Sequence, residues 1–236
     1  VTKEGLVQIS KNMKKELSLT PLMEAGVHFG YSRTRRHPTV TPYLYGTKGG
    51  VDIIDLEKTA PLMEKASAFL SELGQAGKTV LFVGVKPEAR NIVMEVAQSL
   101  KMPYVTERWI GGILTNFPEI KRRIARLEEL KEERSSGGFD KYTKKEQILL
   151  NREMDRLNKY FSGLTGLTKM PDAVVIVDTK KEHIAIAEAR KIGVPVIAIG
   201  NTDCSIRAIS FPIIANDSSA SSISTVLGIL KDAFSK

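Results

Sequence analysis

The sequence holds one cysteine, Cys204, among 236 residues, so no disulfide can form within the chain. That fits a reducing compartment and leaves stability to a buried core. Histidine is nearly as scarce. His28, His37 and His183 have no second His or Cys at ligand spacing, so neither a zinc site nor any other metal is expected. Val27 and Phe29 flank His28 and favour a hydrogen-bonded core or interface imidazole, while His183 reads as exposed in a first helical turn. Long apolar runs are also missing. The longest, such as 173–177 and 194–199, are strand-sized, so no membrane span is expected. Residues 1–13 intersperse Lys and Glu and lack the apolar stretch of a secretory signal.

The machinery of catalysis is equally absent. Gly77-Lys78-Thr79 resembles the tail of a phosphate-binding loop, but the position that needs the first glycine holds Glu72, and the triplet precedes a strand instead of following one. A simple turn into that strand is expected. Gly84 follows a strand and precedes a helix, yet Gly84-Val-Lys-Pro-Glu lacks the further glycines of a dinucleotide site. No nucleophile elbow is present, and 218–224 looks like a polar helix start. Cys204 is expected to be a small buried thiol. Neither an enzyme nor a cofactor is expected.

What is present is positive charge. Lys and Arg number 35 against 27 Asp and Glu, a formal net charge of +8, which favours a polyanionic partner because phosphate contacts release counterions. Hydrophobic residues, at 42%, suffice for a sizeable core.

Short β-branched runs alternate with helical patterns, the signature of a parallel sheet covered by helices. Strands are expected at 79–84, 173–178 and 194–199, with helices over 87–100, after Thr179, and over 219–234. Thr179 with Glu182 has the spacing of a capping box. Pro21 is expected to open a helix reaching about Phe29, and 43–45 and 51–54 read as short strands around the turn 46–50. From Phe117 to Phe161 the alternation stops. Phe117, Ile120, Ile124 and Leu127, then Leu150, Met154, Leu157 and Phe161, recur at helical spacing around the flexible stretch 135–138, with a second capping box at Thr143 and Glu146. These predict an antiparallel coiled-coil hairpin that buries little itself and projects as an arm. The expected organisation is an α/β core over 1–116 and 162–236 with an inserted arm over 117–161.

Arg33, Arg35, Arg36 and His37 lie in a loop bounded by Gly30 and Pro38, with Tyr31, Tyr43 and Tyr45 nearby and Lys48 in a Gly-rich turn. Loop arginines can fork onto phosphates while aromatic faces accept unpaired bases. Exchanging Arg33, Arg35 and Arg36 together for alanine is expected to weaken assembly with RNA and to spare the fold. Arg108 and Trp109 precede a Gly-Gly turn ending at Asn116. Lys121 and Arg122, with Arg123 and Arg126, begin the first arm helix, where the glutamates at 128, 129, 132 and 133 could equally pair with them. Other readings are an enzyme or sensor holding a nucleotide at the sheet edge, and a DNA-binding regulator, for which no helix-turn-helix pattern is seen.

Several ordered segments resemble the bacterial-type family of small-subunit ribosomal protein two over nearly the whole chain: Gly26-Val-His-Phe-Gly30, Gly50-Val-Asp-Ile-Ile-Asp-Leu-Glu-Lys58, Arg108-Trp-Ile-Gly-Gly-Ile-Leu-Thr-Asn-Phe117, Pro171-Asp-Ala173 and Glu182-His-Ile-Ala-Ile-Ala187. The resemblance implies a doubly wound, flavodoxin- or Rossmann-like parallel sheet carrying a protruding helical hairpin. It implies a structural, non-enzymatic constituent of the small ribosomal subunit in the cytoplasm, bound to ribosomal RNA on the solvent side across head and body. Neighbouring subunit proteins are implied partners, with docking of the messenger-binding protein one; no membrane and no homo-oligomer are. Two segments depart from the family pattern. Arg36-His37 stand where a Trp-Asn pair is common, and Ser205-Ile-Arg207 where an acidic run often follows the cysteine, which makes Arg207 a candidate phosphate contact.

Overall fold

The computed structural model of the protein describes residues 19–236, so the reading of 1–13 lies outside the described residues. Helix α1 (Leu19–Glu24) carries Pro21 in its first turn. It ends where Gly26, at φ +72°, takes the left-handed conformation that closes a helix, with Val27 N–H donating to Leu22 O at 3.0 Å. The helix therefore stops short of Phe29, which begins a strand. Strands β1 (Phe29–Ser32), β2 (Leu44–Lys48) and β3 (Val51–Ile54) form a small antiparallel sheet in the order β1-β3-β2. Its β2–β3 hairpin turns on Gly49 and Gly50, with φ +58° and +78°, as a two-residue turn requires. Tyr43 lies in the 3-10 segment Pro38–Tyr43 before β2, not in the strand.

Helix α2 (Leu56–Gln75) escaped the sequence reading. Its buried face mixes Met63 and Leu70 with Thr59, Ala66 and Ser67, and Pro61 interrupts it, so the apolar period is faint. Then follow β4 (Val80–Val83), α3 (Pro87–Leu100), β5 (Tyr104–Val105), α4 (Phe117–Ser135), α5 (Lys144–Phe161), β6 (Ala173–Val177), α6 (His183–Ile192), β7 (Val196–Gly200), β8 (Phe211–Ile214) and α7 (Ala220–Phe234).

Strands β4 to β8 make a parallel sheet in the order β5-β4-β6-β7-β8. The chain passes from β4 to one side and returns to the other, which creates a switch point between β4 and β6. Every residue of β4, β6 and β7 is buried, which is why these strands read as unbroken apolar runs. The pleat sorts them: Val80, Phe82, Val175 and Ile197 pack with α2, α3 and α7, while Leu81, Val83, Val174 and Ile176 pack with α6 and the hairpin side. Helices on both faces complete the doubly wound α/β architecture.

Helices α4 and α5 pack against each other with Leu127 and Leu130 fully buried. Phe139 in the connector, Met154, Leu157 and Phe161 continue that seam into the cluster under the sheet. The hairpin thus buries a core of its own, contrary to the expectation that it buries little. The Thr143 capping box forms, with Thr143 N–H donating to Glu146 at 2.9 Å. The one proposed at Thr179 does not. There Asp178 accepts from the amides of Lys180 and Lys181 at 3.1 and 3.0 Å, and α6 begins only after Glu182. A turn intervenes where a cap was expected, because Asp178 at φ +68° bends the chain first.

Candidate nucleic-acid interface

Doubly wound sheets bind ligands outside the carboxyl ends of their strands, at the switch point. Here that crevice is filled from within. Lys86, three residues beyond β4, places its ammonium 3.5 Å from Asp178, 3.2 Å from Asp217 and 3.1 Å from the Tyr31 hydroxyl. Ser218 Oγ donates to Tyr31 Oη at 2.7 Å. Burial alone would lower the Lys86 pKa, but Asp217, the Tyr31 bond and Asp178 outweigh it and raise it. Gly84 is required by packing: a side chain there would meet Val93 Cγ2 at 2.6 Å. The glycine serves close helix–strand approach, and the ammonium stands among Asp178, Asp217 and Tyr31 at that edge. Gly77 and Lys78 form the expected turn, with Lys78 paired to Asp172 at 3.1 Å.

The small sheet is clamped over the same edge. Tyr31 N–H donates to Thr202 Oγ1 at 2.9 Å, and His37 N–H donates to Thr202 O at 2.8 Å. Asn216 N–H donates to Val27 O at 3.0 Å. A side chain at Gly30 would meet Thr202 Cγ2 at 2.6 Å. Ile206 packs against the cluster of Val40, Ile54 and Ile214, and its N–H donates to Thr39 Oγ1 at 3.4 Å, so the loop carrying Arg207 lies against the segment that follows Arg33 to His37.

Within that cluster the cations differ. Arg33, Arg35, Lys48 and Arg207 are exposed. Arg35 lies 5.7 Å from the Tyr31 ring centre, which a cation–π contact accommodates. Arg36 instead donates through Nε to Asp52 at 2.8 Å, through Nη2 to the other Asp52 oxygen, and to Thr47 at 2.8 Å. The bond from Arg36 holds the buried Asp52 carboxyl below its ordinary range, against the effect of burial. His37 bonds Thr39 through Nδ1 at 2.8 Å. Tyr45 is the most open aromatic, 83% exposed, whereas the Tyr31 hydroxyl is tied to Lys86 and Ser218.

The second expected patch is corrected in part. Trp109 is 6% exposed and cannot stack on a base; its Nε1–H donates to Glu188 at 3.2 Å. Glu188 also accepts from the amides of Gly112, Leu114 and Thr115 at 2.8, 3.1 and 3.1 Å and from the Thr115 hydroxyl at 3.1 Å. Burial would raise its pKa, and these donors pull it down instead. The Gly-Gly turn is therefore pinned rather than flexible. Arg108 and Asn116 are exposed on either side of it, as are Lys121 and Arg122 on α4. Arg122 pairs with Glu119 at 2.9 Å.

The remaining candidates stay inert. Cys204 is buried, donates to Asn201 O at 2.9 Å, and burial pushes its thiol up to about 11. His183 is exposed. His28 is half-buried on the Phe29 ring at 4.1 Å, and among the described residues its Nδ1 has no hydrogen-bond partner, so the expected hydrogen bond is not formed within them. Among the described residues no group of His, Cys, Asp and Glu could hold a metal ion, and no helix is long and apolar enough to cross a membrane.

The family model described as ribosomal protein S2 matches residues 22–236, a span that includes the clamped sheet, the filled switch point and the hairpin. The chain belongs to the ribosomal protein S2 family. Among its relatives, the small ribosomal subunit protein uS2 of Picosynechococcus is 43% identical over 92% of this chain and 85% of its own length. That of Thermus thermophilus is 44% identical over 91% of this chain and 84% of its own. The protein uS2c of Porphyra purpurea is 43% identical over 92% of this chain and 90% of its own. The ribosomal protein S2 family is structural and non-enzymatic.

Lys86 and Glu188 were not recognised in the sequence. Lys86 stands in the strand-to-helix turn and Glu188 among apolar helix neighbours, so a charged residue in an otherwise apolar setting was the available signal.

Proposed function

We propose that this chain is a structural constituent of the small ribosomal subunit in the cytoplasm, held on ribosomal RNA by exposed loop cations. What carries the reading is the division of the basic cluster. Among the described residues, Arg33, Arg35, Lys48 and Arg207 have no carboxylate partner within ion-pair distance, while Arg36 is neutralised by Asp52. Arg33, Arg35 and Arg207 stand on loops, while Lys48, expected in a turn, ends strand β2; cations held out by a rigid sheet suit phosphate contact. Arg108 and Lys121, with Asn116 and the Glu119-paired Arg122 beside them, make a second polar surface at the root of the hairpin, and the names of the relatives support the assignment to the subunit. Contact with neighbouring subunit proteins, including docking of the messenger-binding protein one, belongs to the same reading, as does a division into a core over 1–116 and 162–236 and an arm over 117–161. The exposed Ile148 and Leu149 on α5 support a protein-facing side of that arm.

Sucrose-gradient sedimentation of native lysate at physiological and at high salt tests the function. Migration with small subunits, released by high salt, is expected. A chain wholly in the soluble fraction at physiological salt would overturn it.

A further inference from the structure

A groove of about 650 Å³ lies between α6 and the loop that follows β7. Ile186, Ala187, Cys204 and Ala208 give it apolar lining, and Lys180, Arg190 and Lys191 stand exposed around it. Its walls include residues just beyond the carboxyl ends of β6 and β7, the edge at which doubly wound sheets take ligands, next to the stretch that Tyr31 and Lys86 close. A volume of this size, apolar with a few polar groups, is that of a small-ligand site.

The inner end is closed. Thr179, 5% exposed, keeps its Oγ1 buried beside the Cys204 thiol, which itself donates to Asn201 O at 2.9 Å. Asp203 lines the same groove, 3.0 Å from Lys180 Nζ, which leaves Arg190 and Lys191 as its unneutralised cations among the described residues.

We propose that this groove receives one unpaired nucleotide of ribosomal RNA, with its base on the apolar lining and its flanking phosphates on Arg190 and Lys191. The combination selects the ligand. Cations favour phosphate, whereas Asp203 repels a wholly acidic peptide and accepts from a base amino group or a ribose 2′-hydroxyl. The inference rests on the ribosomal reading and adds a site that the basic loop does not contain.

Irradiation of native small subunits at 254 nm, followed by digestion and mass spectrometry of nucleotide–peptide adducts, tests it. An adduct is expected on a peptide from 179–191 or 203–208. Ala187→Trp fills the apolar lining from an exposed helical position and keeps every cation, so it should reduce that adduct about ten-fold while the chain still sediments with subunits. An adduct unaffected by Ala187→Trp would overturn the groove as the site. Adducts confined to the 33–48 loop would overturn it too and leave the ribosomal reading intact, whereas a chain absent from subunits would overturn both. Calorimetric titration of the purified chain with AMP separates the source of the nucleotide: weak millimolar binding is expected, and saturable micromolar binding would assign the groove to a free nucleotide instead. An amine-directed cross-link from Lys191 to a neighbouring protein, in place of the nucleotide adduct, would overturn it in favour of a protein occupant.

Discussion

In the loop from Arg33 to His37, the Arg36 guanidinium contacts both carboxylate oxygens of Asp52, whose side chain is wholly buried. Removing a cation from a buried carboxylate leaves a charge without compensation. Arg36→Ala should therefore destabilise the fold, read as a lower midpoint in urea unfolding, with the effect moderated because Arg36 itself remains partly solvated. Arg33 and Arg35 are exposed, and their joint replacement by alanine should move stability by no more than about 0.5 kcal/mol. It should instead lower the salt dependence of RNA binding by about two phosphate contacts, measured as the slope of log affinity against log salt. The triple alanine exchange expected to spare the fold would thus mix two effects. Nothing in the run Arg33-Thr-Arg35-Arg36 distinguishes its members; Asp52 does, from 16 residues away.

At the scale of elements, the turn between β5 and α4 is held by a carboxylate from α6. Glu188→Ala would leave the Trp109 indole and three buried or half-buried amides without their acceptor. A cost on the order of 3 kcal/mol follows from orphaning such donors. Hydrogen exchange over 110–116 should accelerate more than exchange in β4 or β6, since the turn loses its anchor and the sheet keeps its ladder. Equal acceleration throughout would show that Glu188 serves the core at large. The hairpin was legible in its two apolar periods, because Ile120, Ile124 and Leu127 must all face one partner. Its attachment was not. The seam joins the cluster under the sheet through residues distant in sequence, and periodicity carries no record of that. Cleavage in the exposed 136–137 loop should leave the two fragments copurifying, since α4 and α5 stay packed across the cut.

Over the whole molecule, buried carboxyls tie stability to pH, and Glu182 does so near neutrality. Glu182 is 3% exposed, and burial, with Asp178 beside it, pushes its carboxyl up to about 7 from an ordinary 4.5. A raised carboxyl favours folding while protonated. Its contribution is full below about 4.5 and is lost as pH rises through about 7. Glu182→Gln is uncharged throughout, so its melting temperature should gain on the parent by a few degrees between pH 5 and pH 8. A constant difference across that range would remove Glu182 as the source.

The sequence by itself determined the layered α/β core, because strands buried on both faces must be apolar at every position and so leave continuous runs. It also determined the two helices of the hairpin and the Thr143 cap, whose partners lie within a few residues. Tertiary structure alone decided which charges and rings face solvent. Tyr31 meets Ser218 across 187 residues, and Trp109 meets Glu188 across 79. Pairings of that reach depend on how the sheet stacks its connections, and a local pattern of residue types looks the same whether or not a distant carboxylate arrives to neutralise it.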